Sequence, residues 1–188
     1  MDSYHIVFHK VLSIRYPIDS YDRLWFPLNF NDWEVTSTES TIYTQSIDEG
    51  YKLPAEVLQT AAVAKNASIP LSLYFTPPNP ASRCYVYFYF AEIEKLEDGK
   101  QREMRIDLNG ERYLTESVKL DYLTTTVRAQ NDPPIHGNRL HFSIYSVNDI
   151  PPILNAVEVY VLLELPFSPT NLDDGISCLS SFFILKKT

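Results

Sequence analysis

Residues 84–91, CYVYFYFA, limit the possible folds of this chain more than any other stretch. Strand side chains alternate with a period of two, so Tyr85, Tyr87 and Tyr89 share one side of an extended segment and Val86, Phe88 and Phe90 share the other. Both sides are apolar or aromatic. That suits a strand inside a sheet, covered on one face by a second sheet and on the other by loops or a ligand. The charged run over residues 92–103 contains Asp98-Gly99, a hairpin turn signal. The chain then returns over 104–108 with renewed alternation and turns again at Asn109-Gly110. Two turns so close predict an antiparallel meander in which 84–91 and 104–108 are neighbours.

The rest of the composition agrees with a sheet protein. Thirteen Tyr and ten Phe stand against two Met, and aromatic side chains fit a pleated surface. A chain of 188 residues suits one domain with a core that needs neither disulfides nor metal. The five glycines, Gly50, Gly99, Gly110, Gly137 and Gly175, all fall at expected turns, which leaves none for a phosphate-cradling loop. A formal charge of -8 without a basic stripe disfavours nucleic acid, whose binding rests on Lys and Arg neutralising phosphates. Cys84 opens the aromatic strand and reads as a small buried apolar residue; with Cys178 as the second cysteine there is no disulfide framework. The amino terminus lacks the uninterrupted apolar core of a secretory signal, and no segment approaches the roughly 20 apolar residues that span a bilayer.

In chain order, strands are expected over 4–15, 38–46, 60–64, 69–75, 84–91, 104–108, 111–120, 122–128, 139–147 and 154–165, with a helical turn over 55–58 opened by Pro54. Residues 16–34 read as an irregular connector holding Trp25 and Trp33, in which Asp22-Arg23 beside Trp25 forms a structural clamp. Many short strands, turn signals at short spacing and almost no helical periodicity predict an all-β, antiparallel sandwich.

Catalytic signatures are sparse. Glu92, Glu94, Asp107 and Glu158 lie on or beside strands and are the carboxylates that could serve glycoside hydrolysis. His5, His9, His136 and His141 are scattered, without a matching cluster for zinc, and no Gly-x-Ser-x-Gly elbow occurs. No enzyme activity, cofactor or metal is expected. Binding remains: Tyr85, Tyr87 and Tyr89, with Tyr145 and Tyr160, could stack on sugar rings or grip a peptide while their hydroxyls hydrogen-bond. Packing into the core is the other role open to each. Asn66-Ala67-Ser68 is the one glycosylation sequon.

Several stretches occur in an order that resembles the plant malectin-like domain: Arg15-Tyr16-Pro17, Tyr21-Asp22-Arg23-Leu24-Trp25, Pro54 with residues 57–61 (VLQTA), residues 85–92 (YVYFYFAE), 107–110 (DLNG) and 151–160 (PPILNAVEVY). The likeness covers roughly residues 13–174. It implies a jelly-roll-like, galactose-binding-like β-sandwich. It also implies the extracellular, non-catalytic recognition module of a leucine-rich-repeat receptor-like kinase, taking a cell-wall carbohydrate or peptide ligand at the plasma membrane, with a receptor kinase as possible partner. Such modules commonly come in tandem, and residues 15–25 look like the link into a second one. The expected division is therefore 1–34 as strand and connector from a preceding module, 35–167 as the sandwich, and 168–188 as a divergent, disordered tail from a truncated gene product. Two alternatives stand beside this reading, a stand-alone interaction or decoy protein pairing with full-length receptors, and a carbohydrate-active enzyme or its accessory domain.

Overall fold

The computed structural model describes residues 2–7, 18, 19, 21–27, 32–44, 53–129 and 133–162. Among them the chain forms β1 (Asp2–Val7), β2 (Trp25–Pro27), β3 (Trp33–Ser37), the helical turn α1 (Ala55–Leu58), β4 (Thr60–Ala64), β5 (Leu71–Phe75), β6 (Cys84–Ala91), β7 (Glu103–Leu108), β8 (Glu111–Arg112), β9 (Val118–Lys119), β10 (Thr125–Ala129), β11 (Leu140–Ser146), β12 (Ile153–Leu154) and β13 (Ala156–Val161). A first sheet runs β10-β6-β13-β1-β2, a second runs β5-β11-β7-β8 with β9 also on β7, and a small third runs β12-β4-β3. Ladder pairing is antiparallel except between β1 and β2.

The two-sided aromatic strand is central, as its composition demands: β6 pairs with β10 on one side and β13 on the other. Val86, Phe88 and Phe90 are fully buried. Phe88 meets Phe142 of β11 edge-on at 5.2 Å and Tyr113 at 6.2 Å, so the core lies where the first sheet faces the second. Each such side chain withdrawn from water stabilises the fold by roughly 1.5–3 kcal/mol. Cys84 is buried as expected, its thiol directed at the Ser82 carbonyl at 3.8 Å.

The expected hairpin between 84–91 and 104–108 does not form. β6 and β7 belong to different sheets, β7 pairing with β11, β8 and β9. The turn signal itself is real: Lys100 N donates to Glu97 O at 3.0 Å and Gly99 takes φ +78°. That turn is the tip of a loop crossing between sheets, and a local turn cannot specify which sheet receives the next strand. Asn109-Gly110 behaves as expected. Both residues have positive φ, 52° and 88°, the requirement of a type I′ turn, and they join β7 to β8 with Leu108 opposite Glu111.

Elsewhere the pattern shifts. Residues 38–44 form no strand beyond a bridge from Tyr43 to Thr124; the strand lies earlier, as β3, beginning at the end of the expected connector and running past it, where it pairs with β4. The expected strands over 111–120 and 122–128 shrink to β8, β9 and β10. Residues 154–165 divide at Asn155, so that β12 pairs with β4 while β13 pairs with β6. Asn155 makes this change of sheet possible: its Oδ1 accepts from Ala91 N at 2.7 Å and its Nδ2 donates to Leu58 O at 2.7 Å and Thr60 O at 3.2 Å. Pro54 opens α1 as expected. No break in the sheets falls at residue 34, because β1 runs along β13 over six register pairs and β2 lies against β1. The expected strand residues 8–15, the turn at 48–50, the tail at 168–188 and Cys178 lie outside the described residues.

Candidate ligand-recognition site

The outer face of the first sheet holds a buried charge cluster. Register places Tyr160 opposite Tyr85 and Glu158 opposite Tyr87, so the three tyrosines of β6 and the Glu158 and Tyr160 side chains share this face. The loop leading into β2 lies over it. Arg23 Nε binds Asp19 Oδ2 at 2.8 Å and Nη1 reaches Glu158 Oε1 at 3.2 Å. Trp25 Nε1 donates to Asp19 Oδ2 at 2.6 Å, and Tyr21 N to Asp19 Oδ1 at 2.8 Å. The Arg23 guanidinium lies 5.2 Å from the rings of both Tyr21 and Trp25. A clamp at Arg23 and Trp25 was expected with Asp22 beside it; the carboxylate that holds Arg23 is Asp19, four residues back. Asp22 is exposed and takes a left-handed φ of 52°, which turns the chain between Asp19 and Arg23.

Tyr89 sits beneath this clamp, fully buried, edge-on to Trp25 at 6.5 Å, its hydroxyl donating to Glu158 Oε2. Of the three expected binding tyrosines only Tyr85 and Tyr87 reach solvent, each half-buried, and Tyr87 packs edge-on against Tyr160 at 5.5 Å. Burial raises the pKa of Glu158, against the opposing pull of Arg23 and hydrogen bonds from Tyr89 and Tyr160. Burial also works to lower the Arg23 pKa, and Glu158 with Asp19 outweighs it. Tyr89 and Tyr160 are both pushed up, first by burial and then by the Glu158 charge. These linked groups fix the loop to the sheet.

A second buried cation organises the rim of the sandwich. Arg102, with no exposed surface, binds Glu92 through Nε at 2.6 Å and Nη2 at 3.3 Å, Glu94 through Nη2 at 2.8 Å, and the Pro151 carbonyl through Nη1. Glu94 N also donates to Glu92 Oε1 at 3.0 Å. The loop between β6 and β7 is thereby held in a defined shape. Between it and the chain near β10 lies an open cleft of about 260 Å³, lined among others by Glu94, Lys95, Glu97, Lys100, Leu120 and Tyr122. Glu97 and Lys100 pair within the turn at the tip of this loop at 2.7 Å.

Two exposed tyrosines flank this region. Tyr122, 48% exposed, lines the cleft, and Tyr43 is 61% exposed. Backbone bonds bring them together, Tyr43 N to Leu123 O at 2.7 Å and Thr125 N to Tyr43 O at 3.0 Å. Sequence reasoning placed both on ordinary strands and missed them. Tyr43 stands between Ile42 and Thr44, and Tyr122 between Asp121 and Leu123, a pattern that alternation alone does not separate from a strand.

The four carboxylates considered for hydrolysis are dispersed. Glu92 and Glu94 share Arg102, Glu158 binds Arg23 and Tyr89, and Asp107 lies on the second sheet 3.4 Å from Arg105. Tyr145 is on the second sheet too, beneath the Arg105 guanidinium at 4.7 Å. Among the described residues no group of three His, Cys, Asp or Glu side chains is placed to hold a metal ion, and no helix is long and apolar enough to cross a membrane.

Stacked antiparallel sheets closed by a clamped loop, with a shaped rim of loops at one end, define a β-sandwich module of the jelly-roll kind. The sequence matches the malectin-like domain over residues 3–162, and the chain belongs to that family. It is 32% identical over 172 residues to a leucine-rich repeat receptor-like serine/threonine-protein kinase of Arabidopsis thaliana, a match that covers 88% of this chain and 19% of the kinase. A second receptor-like protein kinase of that plant is 30% identical over 168 residues, covering 87% of this chain and 19% of its own. The chain thus spans about a fifth of the length of these curated relatives. Among solved structures, the ANXUR1 extracellular domain from Arabidopsis thaliana aligns with a TM-score of 0.69 at 14% identity, over 84% of this chain and 47% of that one. A chain of the complex of plant peptide RALF23 with FER and LLG2 aligns at 0.66 and 15% identity, over 84% and 48%. A Bacteroides uniformis beta-glucuronidase aligns at 0.60 and 14%, over 86% of this chain and 18% of the enzyme. At these identities the structural likeness concerns the fold alone.

Proposed function

We propose that this chain is the non-catalytic ligand-recognition module of a plant receptor-like kinase ectodomain at the cell surface, and that it takes a peptide or an oligosaccharide at the rim. The observation that carries this reading is the rim itself: a loop held in shape by buried Arg102, an open cleft beside it, and Tyr122 and Tyr43 exposed together. Exposed tyrosines offer an apolar ring and a hydroxyl at little entropic cost, and Lys95, Lys100, Glu94 and Glu97 supply charge of both signs. Buried guanidinium clusters behind a surface keep it preorganised, which lowers the ordering cost of binding. Membership of the malectin-like family, with receptor-like kinases among the relatives, supports recognition over hydrolysis. Tyr85 and Tyr87 flank the clamped loop and remain a second contact surface.

The test is a titration of the purified chain with cell-wall peptides and glucose oligosaccharides, followed by calorimetry. Saturable binding without product, lost in Tyr122→Ala and Tyr43→Ala but retained in Tyr87→Ala, is the expected result. Product formation, or binding lost only in Tyr87→Ala, would overturn the rim reading.

A further inference from the structure

The connection between β4 and β5 carries a feature that the recognition site does not use. Residues 65–70 connect β4 of the third sheet to β5 of the second. Within them Asn66 and Ser68 are exposed. Asn66 Oδ1 accepts a hydrogen bond from Ser68 N at 3.0 Å, and Ile69 N closes the turn onto Asn66 O at 3.3 Å. This is an Asx turn, in which a side-chain carbonyl takes the place of a backbone one. It engages Oδ1 of an exposed residue, while Nδ2 makes no hydrogen bond among the described residues.

From this geometry we infer that Asn66 is an N-glycosylation site, carrying an oligosaccharide added during passage through the secretory route. The inference rests on the extracellular location proposed above. A bare Asn-x-Ser match is weak evidence, because such tripeptides recur by chance. Three observations raise it here. Asn66 is exposed and its Nδ2 has no hydrogen-bond partner among the described residues; Ser68, which completes the sequon, is exposed too; and the segment belongs to a turn that can open onto a transferase without breaking a strand ladder. A buried asparagine shows the contrast. Asn155 is fully enclosed with both amide atoms bonded.

The donor is an oligosaccharide on a polyprenyl pyrophosphate. A bond forms between Asn66 Nδ2 and the anomeric carbon of the sugar, the bond from that carbon to the pyrophosphate oxygen breaks, and the pyrophosphate leaves with the electron pair. The amide nitrogen loses one proton, taken up by water, and no oxidant or reductant is required. The attached glycan covers the turn directly before β5, which is an edge strand of the second sheet. Such a bulky, hydrated group would oppose pairing of that edge with another chain.

The experiment expresses the whole chain behind a secretory leader in plant cells and reads the mass of all chain produced, secreted and retained, before and after peptide-N-glycosidase. The expected result is a mass increase of one oligosaccharide that the enzyme removes, leaving aspartate at position 66. Asn66→Gln and Ser68→Ala each abolish it, whereas Ser68→Thr retains it. Chain of unmodified mass in both the wild type and Ser68→Thr would overturn the inference. The leader supplies entry to the secretory route, so an unmodified product counts against Asn66 itself. Failure of the recognition reading would appear differently, as absent ligand binding with the glycan in place.

Discussion

Replacing Arg23 with Met removes a cation that serves two buried carboxylates. Asp19 and Glu158 are each 1% exposed, and Arg23 reaches them at 2.8 Å and 3.2 Å. Met retains much of the apolar stem, so the change isolates the guanidinium. Removing one partner of a buried ion pair typically costs about 3–5 kcal/mol, because the remaining charge is left without compensation. The carboxylates are not wholly abandoned here: Asp19 retains the Trp25 and Tyr21 donors and Glu158 the Tyr89 hydroxyl. That argues for the lower part of the range, about 3 kcal/mol, or a fall in Tm of roughly 6–12 °C for a chain of this size. The loss should also depend on pH. Burial already raises the Glu158 pKa, and without Arg23 it rises further. A carboxyl whose folded pKa lies above its unfolded value stabilises the fold at pH below the unfolded value, and that stability is lost as pH rises through the folded pKa. Arg23→Met should therefore lie further below wild type at neutral pH than at about pH 5. Urea unfolding followed by tryptophan fluorescence at both pH values measures this, with Glu158→Gln and the double variant completing a cycle. A cost under about 1 kcal/mol at neutral pH, or a double variant equal to the sum of the singles, would refute the clamp.

Asn155→Ala should cost about 3 kcal/mol, since it leaves the buried Ala91 N, Leu58 O and Thr60 O without their partner, and Asn155→Asp should be no better because it cannot donate to two carbonyls; urea midpoints decide, and a loss below about 1 kcal/mol would count against the sheet-switching role. Alkaline stability should fall steeply. Tyr89 and Tyr160 are raised above the ordinary tyrosine value of 10.0, so above about pH 10 the unfolded chain releases protons that the folded chain holds, and the folding equilibrium drops about tenfold per pH unit for each group. The Cys84 thiol, pushed by burial from 9.0 up to about 11, adds a third such contribution between those values. Thermal melts at about pH 8 and pH 10.5 should differ sharply, and equal Tm values would contradict the burial of these groups.

Much of this architecture was legible because it is local or periodic. The alternation in residues 84–91 identified a central strand, Asn109-Gly110 specified a two-residue turn by its need for positive φ, and Pro54 marked the start of a helical turn. The errors share a physical cause, which is that partner choice is non-local. Asp98-Gly99 announced a turn but carried no information that β7 would join β11 rather than β6. Asp19 outranked Asp22 as the Arg23 partner because the left-handed Asp22 folds the loop back, a conformation that residue type alone does not reveal. Tyr89 belonged to the same alternating set as Tyr85 and Tyr87, yet the overlying Trp25 loop buries it and leaves the other two partly open. The exposed pair at Tyr43 and Tyr122 depends on two loops nearly 80 residues apart meeting at the rim, consistent with the Tyr43 and Thr124 bridge.

Amide hydrogen exchange of the whole chain, with and without whichever peptide or oligosaccharide binds in the titration, probes the rim most directly. Recognition at the rim predicts added protection over residues 38–44, 92–100 and 120–124, with the outer face of the first sheet unchanged. Protection concentrated instead around Tyr85, Tyr87 and Tyr160 would place the ligand on the sheet face and contradict it.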